Sequence, residues 1–284
     1  MRCLRNVCEK KRAMVMQSKN VVVKNHTFVI CAYTESPFLE ECMQSILKQS
    51  MKSNVLLATS TPNEYISKLA KKYGIEVRVN DGEKGITQDW NFALSQVKTK
   101  YATLVHQDDV YESNYLELVM ERIKSCKKPL IVFTDYCELR NGEKVAENTM
   151  LKVKRMMLLP LRIRCFENSK FVRRRVLSMG DPICCPSVTF CLENLELPIF
   201  QHGFRSCEDW EAWEKLSYLK GAFCYISEPL MCHRIHEESA TTAIINDNAR
   251  NEENYSMFCK FWPKWIAKLI NQFYVKSEKS NELG

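Results

Sequence analysis

Two adjacent aspartates, Asp108 and Asp109, follow the apolar run Tyr101–Val105 after His106-Gln107. Mg2+ and Mn2+ favour carboxylate oxygens and are commonly bridged to phosphates by only one or two protein carboxylates, so a diphosphate leaving group could be neutralised here. An Asp-Asp pair alone is a weak signal, but its place at a strand end strengthens it, because ligands of open parallel sheets sit outside the carboxyl ends of the strands. A second acidic pair, Glu208-Asp209, opens an amphipathic segment and admits two readings, a helix-dipole cap or a proton acceptor. His233 and His236 flank Arg234, as a surface pair or as ligands. Trp210 stands three before Trp213; the latter fits a buried stripe, and the former either joins it or faces a ligand.

The elements that position these residues alternate. His26–Tyr33 reads as a buried strand, and a turn at Thr34–Pro37 leads into a helix with Ser36 as N-cap and Leu39, Met43, Ile46 and Leu47 inside. Val55–Ala58 is a second strand, followed by the capping-box pattern Thr61-Pro62-Asn63-Glu64 and a helix closed by Gly74. Ile75–Val79 and Tyr101–Val105 are further strands, separated by a helix carrying Trp90, Ala93, Leu94 and Val97. Such alternation predicts a mostly parallel sheet flanked by helices. Asn141-Gly142 predicts a hairpin turn, 151–180 a basic helical segment, Ser187–Cys191 a strand and Glu208–Leu219 a helix. Residues 246–275 predict a helical stretch broken at Pro263.

The chain has 284 residues, enough for one large domain with a small appendage. No apolar run reaches membrane-span length, and the N-terminus lacks a signal-peptide core, so a cytoplasmic location is expected. The 14 cysteines contain no Cys-x-x-Cys pair, which favours reduced core thiols over a zinc site. The net charge of +7 is unevenly spread. Residues 1–25 carry seven basic side chains against Glu9, and residues 151–175 carry nine against Glu167, leaving an acidic remainder. These islands could meet anionic lipid or a diphosphate-bearing substrate, or be solvated. Nucleic acid is not expected as a partner, because no nucleic-acid motif accompanies them.

The stretches TFVICAYTESPFLEECMQSILKQS and NDGEKGITQDWNFALSQVKTKYATLVHQDD resemble the start and the centre of family 2 glycosyltransferases, and CEDWEAWEKL and HRIHEESATT resemble two later motifs of that family. The resemblance implies an α/β GT-A fold with a helical C-terminal appendage, divided into a basic extension 1–25, a transferase domain 26–245 and an aromatic, basic segment 246–284. It implies a metal-dependent inverting transfer from a nucleotide-diphosphate sugar, with a UDP-sugar favoured, to a hydroxyl of a cell-surface glycan or lipid-linked precursor. Asp209 would be the catalytic base. Ala32, Tyr33, Glu35, Thr59, Asp81, Asp89, Asn91, Asp108 and Arg234 would bind the donor, Asp109 and His236 would hold Mn2+ or Mg2+, and Glu208 and Trp210 would face the acceptor. The basic islands and the C-terminal aromatics would suit a peripheral protein on the anionic inner face of the cell membrane. One departure stands out. Ala58-Thr59-Ser60-Thr61 follows the second strand where the family usually has a base-recognising aspartate, which leaves the nucleotide base open.

Two other readings compete. A sugar-nucleotide nucleotidyltransferase needs a glycine-rich basic loop after the first strand, and Ala32–Pro37 has neither glycine nor lysine. A degenerate nucleotide- or glycan-binding relative would not be expected to keep Asp108, Asp109 and Asp209 together.

Overall fold

The computed structural model describes residues 22–236 and 249–282. Most of the basic extension and the end of the HRIHEESATT motif lie outside the described residues. The elements are β1 (Val22–Ala32), α1 (Leu39–Leu47), β2 (Lys52–Thr59), α2 (Glu64–Tyr73), β3 (Glu76–Val79), α3 (Ile86–Ser95), β4 (Tyr101–His106), β5 (Val110–Tyr111) and α4 (Tyr115–Lys124). There follow β6 (Pro129–Arg140), β7 (Glu143–Val145), α5 (Thr149–Leu158), α6 (Lys170–Leu177), β8 (Val188–Cys191), α7 (Glu208–Leu216), β9 (Ala222–Ile235), α8 (Ala249–Cys259) and α9 (Lys264–Glu282).

The strands form one sheet in the order β3-β2-β1-β4-β8-β6-β9-β5, with β7 paired to β6. The first four run parallel, as the alternation predicted. Antiparallel β8 then enters between β4 and β6, and antiparallel β5 closes the far edge against β9, so the second half of the sheet is mixed rather than mostly parallel. Successive residues of β1 face opposite sides. Phe28, Ile30 and Ala32 join the core under α1, α2 and α4, and Val29 joins the core built with α3, α7 and α8.

Local chemistry sets the helix ends. The N-cap of α2 is Asn63, whose Oδ1 accepts from Ile66 N at 2.9 Å, so the capping-box reading that began at Thr61 is displaced by two residues. The Thr61 hydroxyl instead accepts from Thr34 N at 2.6 Å, tying together the loops after β2 and β1. At α1 the N-cap is Phe38 with no side-chain cap bond, and Ser36 Oγ accepts from Phe38 N at 3.3 Å. β1 begins at Val22, paired with Lys52, so residues 22–25 belong to the sheet and not to the extension. Asn141 and Gly142 make the β6–β7 turn with φ of 51° and 82°, the left-handed values a tight hairpin requires.

Pro263 separates α8 from α9. The aromatic stretch there divides in two: Phe258, Phe261 and Tyr274 pack around Trp210, whereas Trp265 and Phe273 face outward. One group not foreshadowed by cysteine spacing brings Cys126 and Cys224 to Glu167, whose carboxylate also pairs with Arg122.

Candidate active site

Because β2, β1 and β4 are parallel neighbours, their carboxyl ends form one rim, with Ala32 level with Thr59 and Cys31 level with His106. Four expected donor contacts, Ala32, Tyr33, Thr59 and Asp108, follow from that register. Tyr33 is pinched through its backbone, its N–H donating to Gln107 Oε1 at 2.9 Å and its C=O accepting from Gln107 Nε2 at 3.0 Å. Its side chain is exposed, as are those of Glu35 and Asp81 at the same rim.

The acidic pair is fastened by β9. Val110 pairs with Cys232 in antiparallel register, which brings residues 233–236 alongside Asp108 and Asp109. Asp109 is fully buried; its Oδ1 accepts from His233 Nδ1 at 2.9 Å and from Arg234 N at 3.0 Å. Asp108 Oδ2 lies 3.0 Å from His236 Nε2, and its backbone carbonyl accepts from Arg234 Nε at 2.8 Å. A spacing of three puts the two imidazoles on opposite faces of an extended strand, and both reach the pair because β9 ends at Ile235. The Arg234 guanidinium also donates to Glu41 at 2.6 Å and lies over the Phe38 ring at 4.3 Å. It braces α1 against the aspartate loop.

Burial pulls the His233 pKa down, but the carboxylates of Asp109 and Asp108 outweigh it and raise it to about 9, so this imidazole is a cation at neutral pH. His106 behaves oppositely. Burial lowers it to about 4, so its 3.9 Å approach to Asp109 is not an ion pair at neutral pH. Its ring stacks on Trp90 at 4.9 Å. Asp109 Oδ2 is buried and without a hydrogen-bond partner. A buried carboxylate oxygen left so is costly unless a cation meets it, and Asp108 with His236 offers a second carboxylate and an imidazole of the kind Mn2+ or Mg2+ accept, although among the described residues the three do not bring their ligand atoms within 4.8 Å of one another.

A second group closes the other side. Asp209, in the first turn of α7, is raised by burial and hydrogen-bonded to Asp181. Asp181 is raised well above the ordinary carboxylate range, by burial and by the Asp209 charge, so the two acids titrate as a pair. Lys154 of α5 is beside them; burial opposes its charge, but Tyr136 and Asp181 more than compensate. The Cys184 thiol lies within electrostatic reach of Asp109, Lys154, Asp209 and Asp181, and burial with those carboxylates pushes it well up. The loop 181–187 therefore lies between the two acidic centres. It is pinned by Tyr111 Oη to Pro186 O at 2.6 Å and Tyr115 Oη to Ser187 O at 3.0 Å. Glu208 is raised to about 7 by burial and borders a cleft of about 340 Å3 with Gly85, Gln88 and His202.

Three expected site residues are used elsewhere. Trp210 does not face an acceptor; it is 1% exposed, and its indole N–H donates to Leu177 O at 3.0 Å. The aromatic C-terminal helices supply its partners, which the local i, i+3 pattern could not reveal. Both Asn91 amide atoms bond the backbone of Phe200, Nδ2 to its O at 2.8 Å and Oδ1 from its N at 3.1 Å. Both Asp89 oxygens are likewise occupied, by Ser60 Oγ at 2.7 Å and Asn80 Nδ2 at 2.8 Å. In the structure these two side chains hold the loops beside the strand-end rim. Sequence reasoning missed Lys154, Asp181 and Cys184 as members of the site. The Asp181-Pro182 loop was the available signal, but the partner of Asp181 lies 28 residues on, across a turn of the fold.

The fold is of the GT-A type. The chain belongs to glycosyl transferase family 2, whose profile matches residues 27–186. It is 23% identical over 261 residues to an uncharacterized glycosyltransferase of Rickettsia felis, covering 89% of this chain and 40% of that one. It is 23% identical over 237 residues to the uncharacterized glycosyltransferase RP339 of Rickettsia prowazekii, covering 82% and 71%. The S. aureus TarS fragment 1–349 in complex with UDP-GlcNAc superposes with a TM-score of 0.59 at 14% identity, covering 87% of this chain and 70% of that one. The mannosyltransferase PcManGT of Pyrobaculum calidifontis, in complex with GDP-Man and Mn2+, gives 0.55 at 14% identity, covering 88% and 69%.

Proposed function

We propose that this chain transfers a sugar, with inversion, from a nucleotide-diphosphate donor to a hydroxyl of a cell-surface glycan or lipid-linked precursor. The observation that carries the reading is the presence of two acidic centres either side of loop 181–187: Asp109, with one buried carboxylate oxygen without a hydrogen-bond partner, and Asp209, buried beside Asp181 in the first turn of α7. Inversion needs one carboxylate to take the acceptor proton and no second carboxylate nucleophile. Asp209 is that base, and Asp181, hydrogen-bonded to it, is a positioning residue. Asp109, with Asp108 and His236, would hold a divalent cation, which when bound supplies neutralising charge to the leaving diphosphate. Cationic His233 adds positive charge behind Asp109. Glu208, which borders the cleft with Gln88 and His202, would face the acceptor.

Support for the donor class comes from the fold neighbours, which hold UDP-GlcNAc in one case and GDP-Man with Mn2+ in another. With Thr59 and Ser60 in place of a base-reading aspartate, the base is read by hydroxyls, backbone or Asp81; UDP is the first candidate. No helix among the described residues is long and apolar enough to cross a membrane. The proposed working place is the inner face of the cell membrane. The deciding experiment is a thermal-shift screen of UDP, GDP and their sugars with and without Mn2+. A metal-dependent rise with one nucleotide supports the reading, and no rise with any of them removes it.

A further inference from the structure

The segment from α5 to α6 has an apolar outer face that the transferase chemistry does not use. Met156, Leu159, Ile163, Phe166, Phe171 and Met179 are all exposed, Phe171 to 72%. A groove of about 250 Å3 opens on this segment, bordered by Phe171 and Met179 of that set together with Met157, Pro160, Val176 and Arg175. Exposed basic residues Arg162, Arg164, Lys170 and Arg175 are interspersed along it. The only acid between 153 and 179 is Glu167, which is buried and paired with Arg122. Helix α9 and the turn before it adjoin this face: Tyr274 and Met157 both approach Gly180, and the indole N–H of Trp262, just before Pro263, donates to Ser178 O at 2.8 Å. Its outer stripe, Trp265, Leu269 and Phe273 at four-residue spacing, is exposed, with Lys264 and Lys268 on the same helix.

We propose that this face seats the protein on the headgroup layer of an anionic phospholipid bilayer and so presents the site to a lipid-linked acceptor. Contiguous exposed apolar side chains mark an interaction surface, and a basic, acid-free border selects an anionic partner. Charge argues against the other occupants. A second copy would oppose two basic faces, and residues 1–21 of the chain are themselves basic, with six Lys and Arg against Glu9. The face also adjoins the chemistry. α5 turns Lys154 toward Tyr136 and Asp181 while exposing Met156, and the loop leaving α6 leads directly to Asp181 and Cys184. An acceptor head held at the bilayer surface would enter from that side. This deepens, and rests on, the lipid-linked reading of the acceptor.

Flotation of the full chain with vesicles of phosphatidylglycerol and phosphatidylcholine, against phosphatidylcholine alone, tests it. Binding to the anionic vesicles alone is expected, weakening as salt is raised. The double variant Phe171→Asp, Ile163→Asp should lower the bound fraction by about tenfold or more while keeping its nucleotide-induced thermal shift. Equal flotation of the variant, or no binding of the wild type to anionic vesicles, overturns the inference. So does a dimer in light scattering that the double variant dissolves, which would make a second copy the occupant. If vesicles fail but nucleotide binding persists, only the surface assignment falls. If vesicles bind but no nucleotide does, the transferase reading falls instead.

Discussion

Asp109 and His233 meet across the β5–β9 ladder, with Asp109 Oδ1 accepting from His233 Nδ1 at 2.9 Å and leaving Asp109 Oδ2 alone in the protein interior. The imidazole satisfies one oxygen and makes the other available. Asp109→Asn places an amide nitrogen or a neutral oxygen where that charge stood. Transfer should fall by about a hundredfold or more, and the Mn2+-dependent part of the nucleotide thermal shift should disappear. A variant that keeps its Mn2+-dependent shift would remove Asp109 from the metal assignment.

Asp209 and Asp181 predict a separation of binding from chemistry. Asp209→Asn should reduce kcat by about 10²- to 10⁴-fold with donor affinity in calorimetry unchanged. A parallel loss of affinity would mean that the first turn of α7 merely supports the pocket.

The same pair gives a pH dependence. Asp209 must be ionised to act as base, and burial holds it above the ordinary carboxylate range, so activity should fall on acidification at a higher pH than a solvated aspartate would give. The hydrogen bond from Asp181 favours the ionised form of Asp209. Removing the donor in Asp181→Ala takes away that support but also a neighbouring acid. If the hydrogen bond dominates, the acid limb of kcat moves up in pH, and an unmoved limb would show that Asp181 has no positioning role.

Much of this site was legible before the structure, for reasons that differ along the chain. Asp108, Asp109, Ala32 and Thr59 sit at the ends of parallel strands whose apolar runs and short connections fix their neighbours locally. Asp209 and Arg234 were reached only through the resemblance, since acidic residues in a first helical turn are usually caps. The mixed second half was not legible, because β6 and β9 pair over their full lengths with register shifts around Asp135, and nothing in either segment announces a partner some ninety residues away. Trp210 was open for the same reason: its burial is decided by Phe258 and Tyr274, which return from the end of the chain.

Asn91 separates a structural from a donor-binding role. Its amide closes two hydrogen bonds on the Phe200 backbone, so Asn91→Ala should destabilise the fold by about 1–3 kcal/mol in denaturant unfolding, through buried polar groups left unpaired. Donor affinity per folded molecule should change little. A large loss of nucleotide affinity at unchanged stability would return Asn91 to the donor site.

His26 supplies a stability test independent of any ligand. It is fully buried in β1, with Nδ1 2.8 Å from Ser53 Oγ and Nε2 2.9 Å from Thr103 Oγ1, and burial lowers its pKa to about 3. An unfolded chain takes up this proton near pH 6.5, whereas the folded one does not until about pH 3, so the unfolded state binds more protons throughout that window. Stability therefore decreases as pH is lowered from 6.5 toward 3, by roughly 1.4 kcal/mol per unit, or about 2 kcal/mol by pH 5. Other buried groups titrate in the same range, so the quantity to measure is the difference between wild type and His26→Gln in urea unfolding at pH 7 and pH 5. The variant should start less stable at pH 7, because the Ser53 and Thr103 hydroxyls lose an aromatic bridge, and should lose less on acidification. Parallel stability losses in the two proteins would show that His26 is protonated in the folded state or solvated in a way its burial does not allow.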